Sequence, residues 1–210
     1  MKHEALVSPA SSCLLSHLDL SGNDLSSVEP QHLARAATHL HQLRIATTNL
    51  TLHQVNTLVP TIVIDTPPSS LTIVPNIPTT ATVQVTVLFS SLAQEGSRLR
   101  SLSVRRASLS PLPVPVLLQG LASLQEVDLG LTGLTGHQLE ALLLAVARGR
   151  LALRSLGLSG LHLDEVEPGL LARVVSRLER LVLKEASLTK PQVEEVKSAW
   201  DTNRCVVELL

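Results

Sequence analysis

One phrase recurs along this chain, and a chain that repeats itself builds a stack of units rather than one ordinary globular core. The phrase is L-x-x-L-x-L-x-x-N-x-L, relaxed at the asparagine. It reads Leu15, Leu18, Leu20, Asn23, Leu25, and again Leu40, Leu43, Ile45, Thr48, Leu50. It returns at Leu99, Leu102, Val104, Ala107, Leu109 and at Leu124, Val127, Leu129, Thr132, Leu134. The last two copies are Leu153, Leu156, Leu158, Leu161, Leu163 and Leu178, Leu181, Leu183, Ala186, Leu188. Leucine fills 44 of the 210 positions, so one copy alone is weak; six in one chain are a strong signal.

The spacing separates two kinds of unit. Starts at Leu15 and Leu40 lie 25 residues apart, as do Leu99 and Leu124, and Leu153 and Leu178. From Leu124 to Leu153 is 29, so short and long units alternate with a pair period of 54. Short units continue as Leu25-Ser26-Ser27-Val28-Glu29-Pro30 and Leu163-Asp164-Glu165-Val166-Glu167-Pro168. Long units continue as Leu-Thr-x-x-Gln, at Leu50-Thr51 with Gln54, Leu134-Thr135 with Gln138, and Leu188-Thr189 with Gln192.

Each unit reads as strand, turn, helix and return. The L-x-L core is a short strand with alternate residues buried. The asparagine position normally turns the chain by bonding backbone groups the turn leaves unpaired. Most units here have lost it, which predicts weaker turns. Thr51, Thr135 and Thr189 are candidate helix N-caps, and Pro30, Pro168 and Pro191 suit a first helical turn. Leu139, Leu142, Leu143 and Val146 then repeat at helical spacing and form one apolar face. No unit buries that face alone, so the units must stack.

These motifs resemble the leucine-rich repeat family, specifically its ribonuclease-inhibitor-like class. Similar repeats occur in ribonuclease inhibitor, NOD-like receptors and Ran GTPase-activating proteins. The resemblance covers roughly residues 13–210, with 1–12 as an N-terminal tail. It implies a curved α/β solenoid of about seven repeats, with a parallel sheet inside and helices outside. It also implies a non-enzymatic protein-interaction module. A fragment of a larger receptor or inhibitor, or a Ran-type GTPase activator, are the alternatives it allows.

Residues 59–82 break the rhythm with five prolines and many threonines and serines. Two arrangements fit. In one, a further unit begins near Pro68, with Leu71, Ile73 and Asn76 in register, a helix over 83–94 and Gln84 matching Gln138. In the other, one long unit carries a 30-residue insertion after Gln54. The first is preferred, because Leu71-x-Ile73 falls where a strand is needed. Pro60 ends the helix after Thr51 in either case, and 61–64 reads as extended. This stretch is expected to be the least ordered. Pro111, Pro113 and Pro115 are expected to replace a helix start with extended chain.

Composition narrows function. The net charge of −1 argues against nucleic-acid binding, which needs a basic excess. No apolar run reaches membrane-spanning length and no signal peptide is evident, so a cytoplasmic protein is expected. No catalytic, cofactor or metal motif stands out. Gly157-Leu158-Ser159-Gly160 fails the nucleophile-elbow pattern. Gly130, Gly133 and Gly136 fall in a repeat turn rather than at a phosphate site. His32, His39 and His41 read as solvated, and the sequon at Asn49-Leu50-Thr51 as chance without export. Cys13 and Cys205 lie some seven strand spacings apart, on the order of 30 Å, beyond disulfide reach.

Binding should therefore use the outward strand positions inside the curve. Those chosen are Asp19, Arg44, Arg105, Arg106, Glu126, Asp128 and Arg180, within a stripe that includes His17, Gln42, Ser101, Ser103 and Lys184. Arg105 and Arg106 make a basic centre beside acidic Glu126 and Asp128. No aromatic ring lies on this face, so affinity through it should be roughly micromolar. The expected partner is another protein. Both ends lack an evident polar cap, which predicts self-association.

Overall fold

Three-residue strands and short helices alternate through the chain in a computed structural model. It describes residues 17–20, 23–32, 42–44, 53–54, 57, 70–72, 88–90, 92–93, 99–203 and 205–209, with backbone alone at 17, 42–44 and 70–72. The strands are β1 (His17–Asp19), β2 (Gln42–Arg44), β3 (Ser70–Thr72), β4 (Ser101–Ser103), β5 (Glu126–Asp128), β6 (Ser155–Gly157), β7 (Arg180–Val182) and β8 (Val206–Glu208). They form one sheet in chain order, and every neighbouring pair is parallel. The central residue of each L-x-L core aligns with the next: Leu18, Leu43, Leu71, Leu102, Val127, Leu156, Leu181 and Val207. From Leu102 onward these central side chains are buried.

β3 decides between the two arrangements of the middle. It pairs with β2 on one side and β4 on the other, so the segment near Pro68 contributes a repeat strand rather than an inserted loop. Residues 88–90 and 92 are helical and lie within the helix expected over 83–94. Gln84, Pro60 and residues 61–64 lie outside the described residues, and so does the rest of the irregular stretch apart from 70–72.

Four helices have defined bounds: α1 (Val114–Leu121), α2 (Gly136–Ala147), α3 (Pro168–Val175) and α4 (Lys190–Thr202). Leu139, Leu142, Leu143 and Val146 are buried on α2, as their spacing predicts. α1 corrects the reading of the prolines. Pro113 is its N-cap and Pro115 falls in its first turn, where a missing amide costs nothing. The prolines start this helix instead of displacing it. Gly120 in α1 has its own purpose. A Cβ there would come within 2.7 Å of the Phe89 ring and 3.0 Å of its carbonyl oxygen, so only glycine admits the one buried ring.

The turns close without asparagine. Asn23 keeps its side-chain bond to the Leu20 carbonyl, and Thr132 Oγ1 donates to the Leu129 carbonyl at 2.6 Å. Ala107, Leu161 and Ala186 have no such group. There the backbone turns on itself, each amide donating to the carbonyl three residues back. Further amides reach the next coil: Arg106 to Gly130, Leu131 to Ser159, Gly160 to Lys184. Four turns carry a left-handed residue at one position, Arg106, Leu131, Gly160 and Glu185, with φ between 57° and 67°. Only Gly160 adopts it freely; a side chain there costs about 1 kcal/mol or more.

The long-unit glutamines join coils in pairs. Gln192 is fully buried, and its Nε2 donates to the carbonyls of Leu163 and Val166, both at 2.6 Å. Its Oε1 accepts from the Thr189 amide at 2.7 Å, which steadies the start of α4. Gln138 repeats this with the carbonyls of Leu109 and Leu112 and the Thr135 amide. Gln54 donates to Leu25 and Val28. Each glutamine thus fixes the loop of the short unit before it.

The last coil is less apolar than its sequence suggests. α4 buries Gln192 and Val196 and exposes Glu194, Glu195, Lys197 and Asp201. Among the described residues of that coil, Trp200 and Val206 are the exposed large apolar side chains.

Candidate functional site

The strand register sorts the inner face into rows. One row aligns Asp19, Arg44, Thr72, Ser103, Asp128, Gly157, Val182 and Glu208. The other aligns His17, Gln42, Ser70, Ser101, Glu126, Ser155, Arg180 and Val206. Asp19, Arg44, Glu126, Asp128 and Arg180 therefore fall in these two rows, but not in one cluster. Asp19 and Arg44 are neighbours at the N-terminal end, and the Arg44 side chain lies outside the described residues. Glu126, Asp128, Arg105 and Arg180 gather farther along. There they line a shallow depression of about 260 Å³.

Small residues make that depression. Ser103, Ser155, Gly157 and Ser159 lie between Arg105 on one side and Arg180 on the other. Gly157 leaves room for Asp128, since a Cβ there would approach its Oδ1 to 2.8 Å. Asp128 uses that room to accept from the Gly130 amide at 2.9 Å and to sit 3.8 Å from Arg105. Both charges of this pair are more than one-third exposed, so solvent screens the attraction. The pair positions Arg105 over the depression rather than stabilising the fold.

Arg106 falls elsewhere. It occupies the exposed left-handed turn position, one residue after the strand alternation ends at Arg105. The basic groups on the inner face are thus Arg105 and Arg180, three coils apart at the edges of one depression that also holds glycine and serine. Glu126 is exposed on the rim.

A second charged group forms around β8, joining Arg180 and Lys184 of the inner stripe to Glu208, which the sequence reading did not single out. Glu208 of β8 receives Lys184 Nζ at 2.9 Å and Arg180 Nε at 3.0 Å. The hydrogen bond from Lys184, then that from Arg180, holds its carboxyl below the ordinary glutamate value of 4.5. The native carboxyl therefore binds fewer protons than the unfolded one between those two pKa values, so its contribution is present above about pH 4.5 and is lost as pH falls through the lower, native value. An NMR titration of Glu208 should show a midpoint below 4.5, moving up in Lys184→Met.

Other sequence candidates stay apart. His32 is exposed and 3.9 Å from Glu29; His39, His41 and the sequon lie outside the described residues. Cys205 is buried, and desolvation raises its thiol pKa against a weaker opposing bond from the Leu181 backbone. Cys13 lies outside the described residues. Among the described residues no group of three or more His, Cys, Asp or Glu is arranged to hold a metal, and no helix is long and apolar enough to cross a membrane.

The geometry defines a leucine-rich repeat solenoid, and comparison with solved structures agrees. The leucine-rich repeat-containing protein LegL7 from Legionella pneumophila superposes with a TM-score of 0.50 at 14% identity, over 96% of this chain and 88% of that one. A leucine-rich repeat protein from Leptospira interrogans gives 0.49 at 16% identity, over 93% of this chain and 49% of that one. At such identity the likeness to LegL7 speaks for the fold. No family model and no curated protein sequence matches the chain.

Proposed function

We propose that this protein is a non-enzymatic interaction module of the ribonuclease-inhibitor-like class, acting in the cytoplasm and binding another protein on its inner face. The observation that carries this reading is the depression between Arg105 and Arg180, floored by Gly157, Ser155 and Ser159. Its walls are polar groups in fixed register, and its floor admits a peptide backbone closely. Its charge is mixed, with Arg105 and Arg180 against Glu126 and Asp128, which suits a polar polypeptide rather than a polyanion. The short-and-long alternation with full helices supports the class. Among the described residues of the C-terminal coil, Val206 and Trp200 are the exposed large apolar side chains that self-association would use.

Affinity capture with the full chain tests the face. Arg105→Glu combined with Arg180→Glu should weaken recovery of a specific partner by about tenfold or more, because arginine is a common interface anchor. Arg106→Glu, at the turn, should leave it unchanged. Equal recovery by all three proteins contradicts the assignment.

A further inference from the structure

A larger hollow lies on the other side of the coils, between α2 and the loop leading into α3. It encloses about 650 Å³. Its floor is apolar, with Leu139, Val166 and Leu170 buried and Leu134 and Leu144 half-buried. Its rim is acidic. Glu140 stands on α2, and Asp164, Glu165 and Glu167 stand on the loop, all four exposed. His137 and His162 complete the mouth, and the lining contains no lysine or arginine. Arg173 lies 3.7 Å from Glu167 and offsets one of the four charges.

The hollow is built rather than incidental. α3 packs against both α4 and α2, and the hollow lies on its α2 side. The acidic wall is pinned from behind, because Gln192 of α4 holds the carbonyls of Leu163 and Val166, which bracket Asp164 and Glu165. Gly136 opens the first turn of α2, and a Cβ there would lie 3.4 Å from the Glu165 carboxylate. A fixed apolar trough beneath like charges is unfavourable twice over. The half-buried sides of Leu134 and Leu144 face water, and neighbouring carboxylates repel. One kind of occupant relieves both: apolar side chains on the floor with cations at the rim.

We propose that this groove docks a basic, amphipathic segment of a partner polypeptide, its apolar side chains on Leu134, Leu144 and the floor and its lysines or arginines facing Glu140, Asp164 and Glu165. It is a second surface, independent of the inner face.

The test uses the full chain and two synthetic helical peptides of equal leucine content, one with lysine and one with glutamate on the polar side. Fluorescence anisotropy should show binding of the lysine peptide, weakening as salt rises, and none of the glutamate peptide. Glu140→Lys with Glu165→Lys should weaken binding by about tenfold or more. Glu140→Gln with Glu165→Gln should give a smaller loss in the same direction. Glu194→Lys with Glu195→Lys on α4 makes the same change in net charge away from the groove and should leave binding unchanged. So should Arg105→Glu with Arg180→Glu. All four acidic positions are exposed, so the variants should keep the wild-type melting temperature. The proposal is overturned if both peptides bind alike, or if the α4 variant loses as much as the groove variant. It is overturned equally if sedimentation shows a second copy of the chain in the groove, with dimer lost in Glu140→Lys, Glu165→Lys.

Discussion

Gln192→Ala should lower the unfolding free energy by about 3 kcal/mol. The change strands the Val166 carbonyl and leaves the Leu163 carbonyl with the Val166 amide alone, since both now receive Gln192 Nε2 at 2.6 Å. A buried acceptor without a donor costs about 1–3 kcal/mol, and the lost support for the Thr189 amide adds a smaller amount. The direction is sharpened by a second substitution. Gln192→Glu keeps the shape but turns the donor into a carboxylate, aimed at two carbonyl oxygens with no exposure to water. At neutral pH it should cost at least as much as alanine. It should recover part of the loss in acid, where the protonated carboxyl again donates. Urea denaturation at two pH values checks both. A loss under about 1 kcal/mol in the alanine variant would show that the glutamine only fills space. Gln138 should behave alike, since its bonds to Leu109 and Leu112 repeat the arrangement.

Leu156→Ala should cost about 3 kcal/mol or more, within the span of buried leucine truncations. Leu156 is fully buried and lies in register between Val127 and Leu181. The loss is a cavity in the middle of a stack whose coils touch only their neighbours. Amide exchange should therefore quicken first in β5, β6 and β7, before reaching the ends. Leu131→Ala makes the same chemical change at an exposed turn position and should stay within about 0.5 kcal/mol. Equal losses from the two leucines would contradict the assigned core.

Much of the fold is legible because leucine spacing is a local property that survives stacking. The six phrases place strands β1, β2 and β4 to β7 directly, and Leu71-x-Ile73 places β3 despite the surrounding prolines. Pro113 and Pro115 mislead because proline is a breaker inside a helix and a starter at its first turn, and residue spacing alone does not say which. Arg106 misleads because strand alternation stops where the chain turns, one residue earlier than a uniform pattern suggests. The glutamines are visible as a repeated letter in Leu-Thr-x-x-Gln. Their purpose is not, since their carbonyl partners lie 26 and 29 residues back. Gly157 and Ser159 escape a search for charge, yet they line the depression beside Arg105 and Arg180, and Gly157 makes the space that lets Asp128 fold over. The acidic groove joins residues of two coils across a gap set by helix packing, and no periodicity within one unit encodes it.

The solenoid rests on one unbroken parallel ladder, and its least regular joint is the place to probe it. Backbone NMR contacts between neighbouring strands report pairing and direction together. In-register parallel contacts should run from Leu43 to Leu71, from Leu71 to Leu102, and onward through Val127 and Leu156 to Leu181. A series that passes from Leu43 straight to Leu102, or that shows antiparallel pairing anywhere along the sheet, would contradict it.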